Sequence, residues 1–553
     1  DEEPGDEEPG DEEPGDEEPG DEEDEEEEDD LPEEIVFSDQ SITDLKADSI
    51  LGIRNSLTLS WSELDQAESY EIYYSINEPI NEIALINLTD YEDIEIIKEA
   101  GHASAIIKDL YWDSNYYFAI KAKNLENELS LLSNSIQFSI GSASPEITSV
   151  YGNNYTGKLL STGPMGGAEA TLFLQGENDS QNDEDFTSPP VIDENGIIYV
   201  KAKIDNKQGL YAFDKNGIKK WVCEYVFNYG PPVIGKDGTI YSLDFNNLYA
   251  ISPNGKIKWQ KTFSNIYGVV PYLSPIGSVY LIVSIDGSLP KLVKIEDNRV
   301  SANQINLFDF SSYLDGKELI GYSPIVFSSS GNLYFSLNNY IFAFNNSGQK
   351  IGEKKIEVIF GEDYVPQGNE ANYIKQVFLS SDEQILFFNS IQGFYSSNDN
   401  RQNKLYALSA NNLDSDPLWI VSGGQEGDLM ALSDTELYYK QKSTGDYGWF
   451  GVAIRAINLS DGEDRWGKSQ SFQFGPPSPI SLASIDNRNY LYFSYGSQIY
   501  GFDSNQITDD KWETGKIFQG SGASYYGQFP LAIGNGAIYL PRGSGSNLFK
   551  ISF

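Results

Sequence analysis

Between Ser188 and Phe553 the chain repeats one pattern roughly every 40 to 54 residues, which dictates an assembly of like units rather than one irregular core. The clearest pair begins Ser188-Pro-Pro-Val-Ile-Asp-Glu-Asn-Gly-Ile-Ile-Tyr-Val, continues Gly-Leu-Tyr-Ala-Phe-Asp-Lys-Asn-Gly-Ile-Lys-Lys-Trp221, and is followed by Gly230-Pro-Pro-Val-Ile-Gly-Lys-Asp-Gly-Thr-Ile-Tyr-Ser, then Asn-Leu-Tyr-Ala-Ile-Ser-Pro-Asn-Gly-Lys-Ile-Lys-Trp259. Each copy holds an apolar pair after Pro-Pro, a Gly-containing turn, an Ile-Tyr or Leu-Tyr strand, a second strand of the Leu-Tyr-Ala type, and a segment ending in Trp. Asn-Gly and Asp-Gly supply the positive φ of tight connections, so the copy reads as four short strands.

In Thr239–Leu243 and Asn332–Ser336 bulky residues outnumber what a sheet with one wet face needs, which suits sheets packed on both faces. A unit of about 45 residues cannot bury an adequate core alone, so the copies must stack. Copies begin near Pro189, Pro231, Pro271, Pro324, Val377, Met430, Pro477 and Phe529, which predicts an all-β, eight-bladed β-propeller over residues 170–553. A seven-bladed ring, with one weak copy folded into a neighbour's loop, is the alternative. The final copy offers only three strands, and Ala170–Gln175 stands before the first copy as a fourth strand stands before the next. The expectation is that this upstream segment pairs with the last blade, bringing Leu172 to Phe549 and sealing the ring.

The pattern Ala-x-Asp/Asn/Ser-x-x-Gly-x-x-x-Trp, from Ala212 to Trp221, Ala250 to Trp259 and, more loosely, Ala456 to Trp466, resembles the repeat of pyrroloquinoline-quinone-type β-propellers over about two thirds of the chain. The resemblance implies that Trp221, Trp259, Trp419, Trp466 and Trp512 each dock on the adjoining blade. That family holds quinone-dependent alcohol and glucose dehydrogenases as well as non-enzymatic lipoproteins that assist outer-membrane protein assembly, so it leaves catalysis and binding both open.

Residues 31–141 form a different unit. Leu57–Trp61 and Tyr70–Tyr74 look like successive strands of a small sandwich, and Leu110 precedes Tyr116 by six residues at the entrance to an alternating strand. That spacing is similar to the tyrosine corner of fibronectin type III modules, with Trp61 as core aromatic and Ser133–Ile140 as closing strand. The acidic-apolar stretch Asn81–Lys98 departs from the family, reading as a short helix or an elaborated loop. Such a module acts as a spacer, and residues 142–169 read as a linker.

Residues 1–30 are Asp-Glu-Glu-Pro-Gly four times over and then an acidic run, with 22 acids and no apolar side chain but proline. The segment has nothing to bury and is expected to be a disordered tether, on the order of 100 Å at full stretch. The whole chain carries a formal charge of −48, and −26 remains once those 22 acids are set aside. Nucleic acid and anionic membranes are thereby disfavoured as partners. No stretch of 18 apolar residues suggests a transmembrane helix. The chain opens on Asp1, and the expectation is an exported protein of the extracellular space or bacterial cell envelope whose signal peptide has been removed, with room for a lipid anchor upstream.

Chemistry is constrained more by what the chain lacks. Its one histidine, His102, lies in the small module, so a His-based triad or a His-rich metal site in the propeller is excluded. Its one cysteine, Cys223, reads as a buried thiol beside Trp221. Asp193-Glu-Asn-Gly196, Asp214-Lys-Asn-Gly217, Asp237-Gly238 and Asp461-Gly462 have the look of calcium loops, but their recurrence at one blade position favours hairpin turns. The acidic insert Glu177–Asp185 reads as a solvated loop. No cofactor is expected; calcium stays open as weak accumulation by the acidic tail or binding at the insert Glu177–Asp185, which lies outside the repeat pattern. Two aromatic clusters in predicted loops, Tyr447-Gly-Trp449-Phe450 and Tyr525-Tyr526-Gly-Gln-Phe529, suit a sugar ring or an extended peptide. The reading is a non-enzymatic surface protein presenting a propeller for protein or glycan contact, with a calcium- and quinone-dependent dehydrogenase and an outer-membrane assembly lipoprotein as alternatives.

Overall fold

The structure, a computed structural model, describes residues 36–140 and 186–551 with interruptions, the longer being 357–372, 392–402, 473–480, 508–515 and 522–531. Lys158–Leu159, Gly166–Gly167 and Ala170–Gln175 are described as well. The acidic repeat 1–30, the insert Glu177–Asp185, Trp512, Trp449 and the Tyr525–Phe529 cluster lie outside the described residues. Among the described residues no helix is long and apolar enough to cross a membrane.

Two four-stranded antiparallel sheets make the N-terminal sandwich. One runs Lys46–Ile50, Ile53–Ser62, His102–Ile107, Ile96–Glu99, and the other Ile86–Asn87, Ser69–Ile76, Ser114–Lys123, Ile136–Ile140. Alternation places Leu57, Leu59 and Trp61 inward from one sheet and Tyr70, Ile72 and Tyr74 from the other, in one shared core. Trp61 meets Tyr70 edge to face at 5.1 Å, and fully buried Tyr116 stacks on Phe118. Within the stretch Asn81–Lys98 the described residues form short strands and one 3-10 turn at Leu88–Asp90.

The repeat region consists of antiparallel sheets whose strands follow one another in chain order. The first is Val191–Ile192, Ile198–Ile204, Lys207–Phe213, Lys219–Cys223; the second Val233–Ile234, Ile240–Asp244, Asn247–Ile251, Ile257–Thr262. The third is Asn265–Leu273, Val279–Ser284, Lys291–Asp297, Ala302–Asp309; the fourth Val326–Phe327, Leu333–Leu337, Tyr340–Phe344, Lys350–Lys355. A seven-stranded sheet comes next, from Tyr373–Leu379 to Gln470–Phe472. Its strand Trp419–Leu432 pairs on one side with Asn403–Ser409 and on the other with Glu436–Thr444, so two four-stranded units share it.

Both ends of the repeat region meet. The last three strands, Ala532–Gly534, Ala537–Pro541 and Asn547–Ile551, receive Ala170–Gln175 as their fourth, with Leu172 opposite Phe549. The first strand of this closing sheet also touches Val191–Ile192 of the first sheet. Together these contacts make a β-propeller. Strand pairing reaches back into the segment expected to be linker. Lys158–Leu159 runs parallel to Ser481–Ile485 at one edge of the six-stranded penultimate sheet, and Gly166–Gly167 runs parallel to Lys516–Ser521 at the other. Each short piece covers backbone groups that a bare edge would expose.

If this closure holds the ring, a chain starting at residue 141 should be monomeric by size-exclusion chromatography, whereas one starting at 176 should melt at least about 5 °C lower and associate. Equal melting temperatures would contradict the closure.

Candidate functional site

In the antiparallel sheets, first-to-second and third-to-fourth connections emerge on one face of the ring, and the remaining loops emerge on the other. In the first four sheets the former are tight turns, residues 193–197, 214–218, 235–239, 252–256, 274–278, 298–301, 328–332 and 345–349. Asp193 shows how such a turn uses its carboxylate: Oδ1 accepts from the Ile197 N–H at 2.8 Å and Oδ2 from the Tyr199 hydroxyl at 2.9 Å. Asp214 likewise accepts from the N–H groups of Asn216 and Ile218, which hold its carboxyl below the usual range. Among the described residues no cluster of three or more His, Cys, Asp or Glu could hold a metal ion.

The turn face also locks sheet to sheet. Trp221 Nε1 donates to the Pro253 carbonyl at 2.7 Å, and its ring lies on Gly255, where a Cβ would come within 2.6 Å. Gly255 has φ +89°, so the turn and the ring both demand glycine. Trp419 Nε1 donates to Leu459 O at 2.9 Å and lies over Gly462, while Trp259 Nε1 donates to Asp297 Oδ1 at 2.7 Å. Trp466 is buried against Tyr438. Between the third and fourth sheets Leu307 takes the place of a Trp, seated against Gly348. Cys223 is buried in the strand Lys219–Cys223.

Buried polar groups join neighbouring sheets as well. Glu436 receives the Tyr438 hydroxyl, and Ser504 and Asn489 of the following sheet donate to its Oε2 at 3.3 and 3.4 Å. Arg465 Nε lies 2.7 Å from Oε1. Burial, with Glu436 beside it, pushes the Tyr438 phenol well above its ordinary range. Lys201, fully buried in the first sheet, donates from Nζ to Leu243 O of the second at 2.8 Å. Burial drives its pKa down to about 7 against the opposing pull of Asp244. These groups all have structural partners, and none is arranged as a nucleophile with a base.

Among the described residues the opposite face carries the hairpin tips Phe245–Asn246 and Asn338–Asn339 and the helical turn Ser311–Leu314. Strands Glu436–Thr444 and Lys516–Ser521 both end on this face, and Tyr447, Trp449, Tyr525, Tyr526 and Phe529 lie outside the described residues. Phe450 opens the returning strand Phe450–Asn458. The described residues add features that sequence reading missed. Phe245 stands at a hairpin tip in left-handed backbone, φ +41°, with 72% of its surface exposed, a strained position for a bulky side chain. Leu289, 39% exposed, lies in the corresponding loop of the third sheet.

Nearer the axis lies an arc of tyrosines. First strands start at the loop face, and several touch the first strand of the next sheet, as Val233–Ile234 touches Asn265–Leu273 and Val326–Phe327 touches Tyr373–Leu379. Tyr267 lies near the start of Asn265–Leu273, Tyr373 opens Tyr373–Leu379, and Tyr322 bridges to Leu337 just ahead of Val326–Phe327. All three are half-buried. A Cβ on Gly268 would touch the Tyr322 ring at 3.8 Å, and one on Gly321 would lie 2.3 Å from the Tyr373 ring. Both outer members adjoin breaks in pairing: register shifts between Tyr267 and Tyr272, and between Ile374 and Gln376, where half-buried Lys375 is the extra residue. Burial raises the pKa of Tyr322, keeping its hydroxyl protonated at neutral pH. The signal in the sequence was the adjacency of Tyr and Gly ahead of successive first strands, Tyr267-Gly268 and Gly321-Tyr322.

Because the unfolded chain holds the Lys201 proton to about pH 10.5 and the folded chain releases it near 7, this lysine makes stability rise with pH across that interval. Lys201→Met should therefore raise the melting temperature relative to wild type most below pH 7, with the difference shrinking toward pH 10. A pH-independent difference would contradict that burial. Trp221→Ala should cost about 3 kcal/mol in denaturant unfolding, and a loss below about 1 kcal/mol would contradict its role between sheets.

No protein-family model matches the sequence, and no curated protein matches it. Solved structures similar to the chain include propeller proteins of different kinds. The β-propeller domain of Myceliophteria thermophila Cps50 (Swd1) is 9% identical with a TM-score of 0.37, over 69% of this chain and 99% of that one. A periplasmic gluconolactonase of Pseudomonas aeruginosa is 11% identical with a TM-score of 0.35, over 56% and 96%. An ancestral GH74 enzyme is 14% identical with a TM-score of 0.39, over 67% and 51%. At these identities the likeness concerns fold alone.

Proposed function

We propose that this chain is a non-enzymatic binding and scaffold protein of the extracellular space or cell envelope, presenting the loop face of an eight-bladed propeller to a protein or glycan. Counting the seven-stranded sheet as two blades with a shared strand supports eight rather than seven. In this reading the sandwich is a fibronectin type III-like spacer, supported by its strand order and by buried Trp61 and Tyr116, and the acidic repeat is a tether. The observation that carries the proposal is the inequality of the faces. In the first four sheets the turn face is short, mostly glycine-closed and self-satisfied, whereas the opposite face carries an exposed Phe245 in left-handed backbone, the helical turn Ser311–Leu314 and the tyrosine arc.

The faces provide their own control. Ile218 and Ile276 are exposed in turns of the opposite face, at 64% and 52%. Phe245→Ser with Leu289→Ser should weaken binding to cell-surface material, glycan or protein, by about tenfold, while Ile218→Ser with Ile276→Ser leaves it unchanged. Loss in the second variant alone would place the contact on the wrong face and overturn the reading.

A further inference from the structure

We infer that the N-terminal sandwich binds a short zwitterionic peptide with free ends in a concavity on the outer face of the sheet that carries His102. Such a role goes beyond spacing and does not depend on which propeller face binds. The cavity, about 410 Å³, lies over the strands Lys46–Ile50, Ile53–Ser62, His102–Ile107 and Ile96–Glu99, and its volume suits a small molecule. Strand register builds it. Lys46 stands opposite Ser60, Ser60 opposite Ser104 and Ser104 opposite Ile97, so one row crosses all four strands on the face away from the core. The next row holds Ser62, His102 and Glu99.

The groups around this cavity are not satisfied by the chain itself. Among the described residues the side chains of Lys46, Ser60, Ser104, His102 and Glu99 have no hydrogen bond or ion pair within the chain, although Ser60 and Ser104 are half-buried. Asp44 is committed: its carboxylate accepts from the Ser62 hydroxyl at 2.7 Å and the Ser62 N–H at 3.0 Å, which hold it below the usual carboxylate range. The uncommitted charges are then opposite in sign and stand on the two outer strands of the sheet, Lys46 on one and Glu99 on the other. Three strand spacings put their backbones about 14 Å apart. Both side chains line the cavity, so the gap between the charges shortens to the length of an extended di- or tripeptide, at about 3.5 Å a residue. A ligand with one carboxylate and one ammonium answers both charges, whereas a cation or an anion alone answers one and is repelled by the other. Between them the Ser60 and Ser104 hydroxyls and the His102 imidazole offer hydrogen bonds to peptide groups, and exposed Ile97 offers apolar contact. A metal ion is a poorer occupant, since Asp44, Glu99 and His102 make no group that could hold one.

The test is a ligand-observed NMR titration of the full chain with trialanine, its N-acetylated form, its C-terminal amide and the form blocked at both ends. Trialanine should bind with a Kd of about 1 mM or tighter, and each single block should weaken it at least about fivefold. Glu99→Gln should abolish the effect of acetylation while keeping that of amidation, and Lys46→Gln should do the reverse, a pairing that a change in fold would not produce. Both positions are exposed, so both variants should keep the wild-type melting temperature. No binding of trialanine at about 10 mM, equal binding of the doubly blocked peptide, or an unchanged end-group preference in both variants overturns the inference. Phe245→Ser with Leu289→Ser should bind trialanine as the wild type does, and loss of binding there would overturn its assignment to the sandwich.

Discussion

The pairing of Ala170–Gln175 with Asn547–Ile551 is the constraint on which the rest depends. A four-stranded sheet of this size cannot bury both faces by itself, and each one here uses its neighbours for that purpose. The core between the second and third sheets draws Tyr241, Leu243 and Trp259 from one and Val279, Leu281 and Val293 from the other. Stacking alone would leave two terminal sheets with a bare face each. Bringing the first and last sheets together removes both faces, and the borrowed strand ties the beginning of the repeat region to its end. The parallel pieces at Lys158–Leu159 and Gly166–Gly167 extend that tie across the preceding sheet.

A sealed ring gives its two faces different work. Trp221, Trp259 and Trp419 each stitch their own sheet to the next, their indole N–H groups satisfied by the following sheet. Glu436 and Lys201 do the same inside the ring with charged groups that tolerate burial only because partners are in place. The opposite face is then free to depart from regularity. Its departures are concentrated where first strands begin, at Tyr267, Tyr322 and Tyr373, and at the tip bearing Phe245. Rigid support beneath irregular loops is the usual arrangement of a binding face.

The architecture was legible because the repeat writes its own register: Pro-Pro, a Gly turn, a Tyr strand, an Asn-Gly turn and a Trp follow in an order that only successive antiparallel strands satisfy. The closure between Leu172 and Phe549 was legible from a missing fourth strand at one end and a surplus strand at the other. The shared strand Trp419–Leu432 was not, because nothing in Val421-Ser-Gly-Gly-Gln-Glu-Gly-Asp-Leu429 marks it as one continuous element and its glycines read as a loop. The site was least legible. Tyr267, Tyr322 and Tyr373 lie about 50 residues apart in the chain and become neighbours only through the ring, whereas Tyr447–Phe450 and Tyr525–Phe529 drew attention by local density, and apart from the backbone of Phe450 they fall outside the described residues.

Cross-linking across the seam tests the closed ring most directly. Thr171 and Lys550 are opposed in the antiparallel ladder, and the one native cysteine, Cys223, is buried. With Thr171→Cys and Lys550→Cys in the same chain, mild oxidation should give an intramolecular disulfide in monomeric protein, seen as a shift in non-reducing gel mobility at unchanged size in solution. Free thiols at both positions after oxidation, or disulfides only between chains, would contradict the closed ring.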